Sequence, residues 1–439
     1  MAWRELQEGH GYYLISYDKY GGERGDDEDE LMSDVIADAI ASGEYSDVMI
    51  SSHGWKGDIP AAADQYDRWF GALLAQADDR SAAVLRRPGF KPLLVGLHWP
   101  SLPFGDEELG GGSFGPAKGA ALDLVEVYAQ RLGDTPEVRA QLEIIAEAAR
   151  TQASALLLPD DVSEAYRALD AELGLGSGDL DAPPDADRNG FDPDAAFAAA
   201  RIAPFGGFSL GGLLAPLRQL SYWTMKKRAR MLGEGAFHEL VARLMTAHPT
   251  GMAEPPRFHL MGHSFGCIVV TSTICGPGAL GQLPRKVDSL LLVQGAVSLW
   301  AYCPAIALAG NRPGYFAPLM AKGHVAGPVL VTRSLHDTAV GKIYPIASKL
   351  RGAADFLSTK LPKFGAIGAF GARGLAADVT IDGGPMLAKD QPYALTKGRL
   401  HNFDCSNFIC HGGGFSGAHN DIAGPEVAHL WWESMRGAE

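Results

Sequence analysis

Short runs of aliphatic, β-branched and aromatic residues alternate along this chain with stretches whose apolar positions recur every three or four residues. The first pattern predicts strands, the second amphipathic helices, and their alternation predicts parallel strands joined by crossover helices. Strands are expected at YYLISY (12–17), at the start of DVMISSHGW (47–55) and in PLLVGLHWPS (92–101). Later ones are expected at RFHLMG (257–262), SLLLVQGAV (289–297), PVLVTRS (328–334) and RLHNFDCSNFI (399–409). The spacing predicts helices over 30–42, with Leu31, Val35, Ala39 and Ile40 on one face, and over 61–77, with Trp69, Leu73 and Ala77. Two more are expected at 234–248, carrying Leu240, Val241 and Leu244, and from Pro425 to about Arg436. No internal repeat is found.

The alternation breaks off after residue 102. Helical patterns follow at 119–133 and 136–157, the second opened by Thr135 as a cap and Pro136 at the first position. Next come an acidic loop rich in glycine and proline, GLGSGDLDAPPDADRNGFDPD, and then RIAPFGGFSLGGLLAPLRQLSYWTMKKRAR, which mixes glycines with large apolar groups. The chain of 439 residues exceeds the usual size of one domain. The reading is therefore a core of 1–102 and 226–439 with a mainly helical lid, 103–225, inserted over the sheet. Phe205, Phe208 and Trp223, with Leu213, Leu214 and Met225, are candidates to roof an apolar substrate pocket. The same residues would also suit packing onto the domain's own core.

Charge narrows the partners. A formal net charge of −14, from 52 acidic against 38 basic residues, would repel phosphate backbones and anionic lipid surfaces, so no nucleic-acid partner is expected. Five cysteines without a C-x-x-C pair give neither a disulfide framework nor a zinc-finger spacing, and a reducing compartment is the simpler inference. The N-terminus lacks a basic region followed by an apolar run, so no signal peptide and a cytoplasmic location are expected. The most apolar long window, 202–223, is broken by Arg218, two prolines and several glycines, so no membrane span is expected.

Three pentapeptides fit the serine-nucleophile pattern G-x-S-x-G: GGSFG at 111–115, GFSLG at 207–211 and GHSFG at 262–266. A serine hydroxyl is a weak nucleophile unless a base takes its proton and a tight turn presents it, so the motif carries chemistry only between a strand and a helix. Ser113 has no strand before it, and Ser209 is followed by a further glycine with neither element well formed. Ser264 alone follows a β run and enters an apolar helical segment, where Gly262 and Gly266 leave room for the turn.

The partners follow in the order serine, acid, histidine. Asp337 stands just after the strand PVLVTRS, at a strand's C-terminal end, where open α/β sheets gather functional groups. It also suits a cap for a helix starting near Thr338. Of three late histidines, His401 opens a strand and His411 leads into a glycine run, whereas His419 lies in a loop just before the terminal helix. His419 is the preferred base, with His411 in reserve.

With SHGW at 52–55, HWPS at 98–101 and GHSFG at 262–266, the sequence resembles the serine esterase and lipase branch of the α/β-hydrolase superfamily over most of its length except about 103–225. The resemblance implies an α/β-hydrolase fold, a mostly parallel central sheet flanked by helices with a lid inserted, and oxyanion donors in the backbone N–H groups of Trp55 and Phe265. It further implies cleavage of a small-molecule carboxylic ester through an acyl-enzyme on Ser264 with no metal or organic cofactor, and the apolar residues of the lid favour an apolar acyl or alcohol group. An amidase, a thioesterase and an acyltransferase would use the same triad, and an inactive binding or scaffold protein would keep the same fold.

Two other signals compete for notice. DADRNG at 185–190 places Asp185, Asp187, Asn189 and Gly190 as in the start of a calcium loop, but position 12 is Ala196 rather than a bidentate glutamate. The basic cluster KKRAR at 226–230 reads as a solvated helix face, and GDDEDE at 25–30 as the acidic start of a helix.

Overall fold

Every residue of the run DVMISS is buried, which fits a strand covered on both faces rather than one that alternates between core and solvent. In a computed structural model of the protein the residues described are 3–25, 31–55, 59–101, 124–152, 155–202, 210–249, 254–341, 361–413 and 416–438. They contain one nine-stranded sheet made of β1 (Trp3–Gln7), β2 (His10–Ser16), β3 (Asp47–Ser52), β4 (Pro92–His98), β5 (Arg257–His263), β6 (Ser289–Val293), β7 (Val329–Arg333), β8 (Thr380–Pro385) and β9 (Leu400–Asp404). Their order is β1-β2-β4-β3-β5-β6-β7-β9-β8. Only the β1–β2 pair is antiparallel. All other neighbours run parallel, so the expected mostly parallel α/β architecture is present.

Successive residues of the central strands face opposite layers. Leu290 and Leu292 join a core shared with Ile50, Val95 and Val269, while Leu291 and Val293 join one formed with Trp69, Phe70, Trp431 and Trp432. The second layer is supplied by the helices Ile59–Leu74 and Pro425–Arg436, both expected from the sequence. Two edge strands were not expected. β1 is half-exposed, and β8, TIDGGP, reads as a turn because its glycines bring no side chains and its register shifts between Asp382 and Gly384. The helix Ala77–Arg86 was likewise missed, having a single buried residue, Ala83.

Between β4 and β5 the described chain is helical: Leu124–Leu132, Pro136–Thr151, Asp160–Glu172, Pro193–Ile202, Leu210–Leu213 and Ala215–Leu232. Thr135 accepts a hydrogen bond from Val138 N–H at 3.1 Å and Pro136 follows it, as the capping signal predicts. Tyr128, Leu142, Tyr166 and Trp223 from this segment share one continuous core with the sheet. The boundary expected at 225/226 falls inside the helix Ala215–Leu232. That helix runs on through a π-helical turn, Gly233–Phe237, into His238–Thr246. A Cβ on Gly233 would come within 2.5 Å of Ser272 Cβ, so the glycine lets this long helix press directly on the helix Gly266–Cys275.

The two polar signals left over from the sequence answer each other. Lys226 is fully buried and its Nζ lies 2.9 Å from Asp187 Oδ1, while Arg230 grips both oxygens of Asp185. Lys227 donates to the carbonyls of Leu173 and Gly174, and Arg228 to those of Pro100 and Arg131. The KKRAR cluster is thus internal wiring of the helical segment rather than a solvated face. Asp185 and Asp187 spend their charge on it. Burial pushes the Lys226 ammonium below its ordinary range, opposed by Asp187. Among the described residues no helix is long and apolar enough to cross a membrane. The expectations at 111–115, at Phe205, Phe208 and Ser209, and at 26–30 lie outside the described residues.

Removing one member of a buried ion pair leaves an uncompensated charge, whereas removing both leaves none. Lys226→Met is expected to cost about 3–5 kcal/mol in urea unfolding, and Lys226→Met combined with Asp187→Leu to recover most of that loss. Equal destabilisation by the single and double variants would show that the pair's charges are not what matters there.

Candidate active site

Each element of the site leaves the C-terminal end of a parallel strand. β5 ends at His263, and Ser264 then turns the chain into the helix Gly266–Cys275 with φ of 56°, in the left-handed region that side-chain-bearing residues rarely adopt. The turn is held by Ser264 N–H donating to Val293 O at 3.1 Å and by Ser264 O accepting from Cys267 and Ala296 N–H. It is also crowded. A Cβ on Gly266 would lie 2.1 Å from Ser52 O, and one on Gly262 2.4 Å from Gly266 O.

His419, Asp337 and Ser264 meet. Ser264 Oγ is 2.8 Å from His419 Nε2, and His419 Nδ1 is 2.7 Å from Asp337 Oδ2. Asp337 is fully buried and Ser264 and His419 are nearly so. Asp337 Oδ1 accepts from Val340 N–H at 3.2 Å, so this residue caps the helical turn opening at Thr338 as well as facing the histidine. The carboxylate is an acceptor to all its neighbours. The proton between the two residues therefore sits on Nδ1, which leaves Nε2 to accept from the serine hydroxyl.

Gln294 was not singled out from the sequence. It follows β6 with φ of 47°, donates from Nε2 to Asp337 Oδ2 at 2.9 Å, and accepts at Oε1 from Thr332 Oγ1 at 3.0 Å. The one available signal was a polar residue directly after the apolar run SLLLV. His263 was missed too. Its Nε2 lies 2.9 Å from the His419 carbonyl and its Nδ1 3.4 Å from Gln65 Nε2, so it braces the backbone that carries the imidazole.

The loop after β3 stands against the serine. A Cβ on Gly54 would be 2.6 Å from Ser264 Cβ. His53 fixes this loop: its N–H donates to Tyr66 Oη at 2.8 Å, its Nδ1–H to Gly54 O at 2.8 Å, and its Nε2 accepts from Trp99 N–H at 3.3 Å. Tyr66 Oη reaches the carbonyls of Ser51 and Leu97, which ties the loop to two strands. Burial, with His98 close by, lowers the His53 imidazole to about 3 despite the Gly54 carbonyl, so it stays neutral. Neither Trp55 N–H nor Phe265 N–H is taken by another described group. Their rings lie 5.7 Å apart, each also against Tyr222 at 5.9 and 5.0 Å.

Trp223, a lid candidate, is buried, with Lys226 Nζ 4.5 Å and the Arg188 guanidinium 5.5 Å from its rings, which fits the alternative of packing within the domain. Its neighbour Tyr222 packs against Trp55 and Phe265. His401 is buried on β9 with its Nε2 at Thr396, and His411 is exposed beside Asp421. Two groups of described residues bring three metal-ligand types within reach of one ion: Cys410, His411 and Asp421, and Asp79, His429 and Glu433. In the second, His429 already spends Nδ1 on Asp79 and Nε2 on Gln391 O. Comparison with protein-family models, with curated proteins and with solved structures finds no match.

Since Gly54 faces Ser264 without space for a methyl group, Gly54→Ala is expected to destabilise the fold by about 1–3 kcal/mol in denaturant unfolding. A variant as stable as the parent would mean that the loop is free to yield.

Proposed function

We propose that the chain is a serine hydrolase of α/β-hydrolase fold that cleaves carboxylic esters through an acyl-enzyme on Ser264. The observation that carries this reading is the unbroken relay from Ser264 Oγ to His419 Nε2 at 2.8 Å and from His419 Nδ1 to Asp337 at 2.7 Å, with the serine on a left-handed turn between strand and helix. Ser264 Oγ attacks the ester carbonyl as its proton passes to His419 Nε2, and Asp337 holds the imidazolium that forms. The carbonyl oxygen becomes an oxyanion, which the N–H groups of Trp55 and Phe265 are free to bind. His419 returns the proton to the leaving alcohol. Water then attacks the acyl carbon with His419 again as base, releasing the acid and restoring Ser264.

The helical segment between β4 and β5, read from the sequence as a 103–225 lid, acts as the lid in this reading, with its far boundary moved into the continuous helix that begins at Ala215. The packing of the Tyr222 ring against the rings of Trp55 and Phe265 supports this reading, since it joins the helical segment to the two residues that carry the proposed oxyanion donors. Aromatic rings close to a buried serine favour an apolar acyl or alcohol group. Phe205 and Phe208 remain proposed contributors to that lid. Amide and thioester cleavage, and acyl transfer, differ only in the leaving group or acceptor, and a panel of substrates separates them.

Labelling the intact protein with a fluorophosphonate and mapping the labelled peptide is the direct test. The label is expected on Ser264 and lost in His419→Ala. Ser264→Ala is expected to lower p-nitrophenyl ester turnover by about 10⁴-fold or more, with Ser113→Ala and Ser209→Ala retaining most of it. A folded protein that takes no label and turns over no ester would overturn the proposal in favour of a binding protein.

Gln294 acts on the reaction through Asp337, as a positioning residue. Loss of a hydrogen bond to a charged group costs about 1.5–3 kcal/mol, so Gln294→Leu is expected to slow labelling of Ser264 by roughly 10- to 100-fold. The KM for the ester should stay nearly constant. A fall confined to KM, or none, would count against this role.

A further inference from the structure

We propose that Cys410, His411 and Asp421 form a three-ligand site for a zinc-class divalent cation, which clips together the two ends of the loop carrying His419. This site stands on its own donors and does not rest on the hydrolase reading. Cys410 Sγ lies 3.6 Å from His411 Nδ1, which lies 3.2 Å from Asp421 Oδ2, and all three donor atoms are within 4.8 Å of one another. A tetrahedral ion with a metal–sulfur distance of about 2.3 Å and metal–nitrogen and metal–oxygen distances of about 2.0–2.1 Å needs sulfur–nitrogen and nitrogen–oxygen edges of about 3.5 and 3.3 Å. The two observed edges match these lengths.

The donors are also held in place. Asp421 Oδ2 accepts from the N–H groups of both Cys410 and His411, at 3.0 and 2.7 Å, so the backbone that presents the thiol and imidazole is already tied to the carboxylate. Asp421 N–H in turn donates to Ala418 O, one residue before His419. His411 is 84% exposed and Cys410 is the one cysteine that is not buried, which gives an ion a way in and a free fourth position for water.

The donor set selects the metal class. One sulfur, one imidazole and one carboxylate suit zinc and its neighbours, whereas magnesium and calcium want oxygen alone. On binding, the Sγ–H bond breaks and its proton goes to solvent. The metal–sulfur bond replaces it, the His411 proton moves to Nε2, and thiolate plus carboxylate balance the two charges of the ion. Closure of the site joins residues 410–411 to 421, so an occupied site restrains the segment from which His419 projects.

Cobalt(II) titration of the chelator-treated full chain, read by absorption, is the test. The expected result is one cobalt per chain with a thiolate-to-metal charge-transfer band that zinc displaces. Cys410→Ser and His411→Asn, two substitutions that leave the backbone bonds to Asp421 intact, should each weaken binding by about 10-fold or more. Alkylation of the native protein gives a second reading. Zinc should protect Cys410 from iodoacetamide, while Cys267, Cys275, Cys303 and Cys405, all buried, stay unmodified with or without it. Absence of the charge-transfer band, or a band that survives in Cys410→Ser, would overturn the proposal.

Discussion

The rest of the site depends on a backbone conformation that serine adopts only under compulsion. At φ of 56° Ser264 carries strain of order 1–3 kcal/mol, which the surrounding structure has to offset. It does so by closing every alternative. The serine N–H and C=O are both bonded, to Val293, Cys267 and Ala296, and the chain on either side runs through glycines where a methyl group would strike backbone at 2.1 and 2.4 Å. The turn that presents the hydroxyl is therefore inseparable from the packing of β5 on β6 and of the helix Gly266–Cys275 on β3. Gln294, also left-handed at φ of 47°, repeats the arrangement one strand along and delivers an amide instead of a hydroxyl.

Around that turn, several buried polar groups are tied to one another rather than placed singly. His53 uses its N–H and both ring nitrogens. His263 braces the carbonyl of His419, and Gln294 links Thr332 to Asp337. An unsatisfied buried polar group costs about 1–3 kcal/mol, so each of these side chains is confined to one orientation. The helical segment between β4 and β5 obeys the same rule on a larger scale, with Lys226 and Arg230 on Asp187 and Asp185. Rigidity at the serine and attachment of the helical segment have the same physical origin.

Much of this was legible in the sequence because the informative residues sit at element boundaries. Ser264 lies between a strand and a helix, Asp337 just past a strand, and His419 before the terminal helix, and those are positions that pattern and spacing locate well. What stayed hidden depended on partners far along the chain. Lys226 looked like one charge of a solvated run because Asp187, which makes its burial possible, lies 39 residues away. Gln294 and His263 stand at positions that no motif specifies, and their partners, Thr332 and Asp337 for one and Gln65 and the His419 carbonyl for the other, come from distant parts of the chain. β8 stayed hidden because an edge strand with two glycines has little apolar pattern to display.

Strand order explains why residues so distant in sequence converge. The adjacent parallel strands β3, β5, β6, β7 and β9 end on one side of the sheet. In that order they give way to the His53–Trp55 loop, Ser264, Gln294, Asp337 and the loop holding His419. Neighbouring strands are about 4.8 Å apart, so β5 and β7 place serine and aspartate two spacings from each other, too far for direct contact. An imidazole with hydrogen bonds of 2.8 and 2.7 Å on its two nitrogens spans most of that distance. It can enter only from outside the strand ends, and the loop after β9 supplies it. Gln294, on the intervening strand, fills the space beneath and fixes the far carboxylate. The relay is thus a consequence of the parallel order from β5 to β9, and a slip of register at β5 or β7 would separate serine from aspartate.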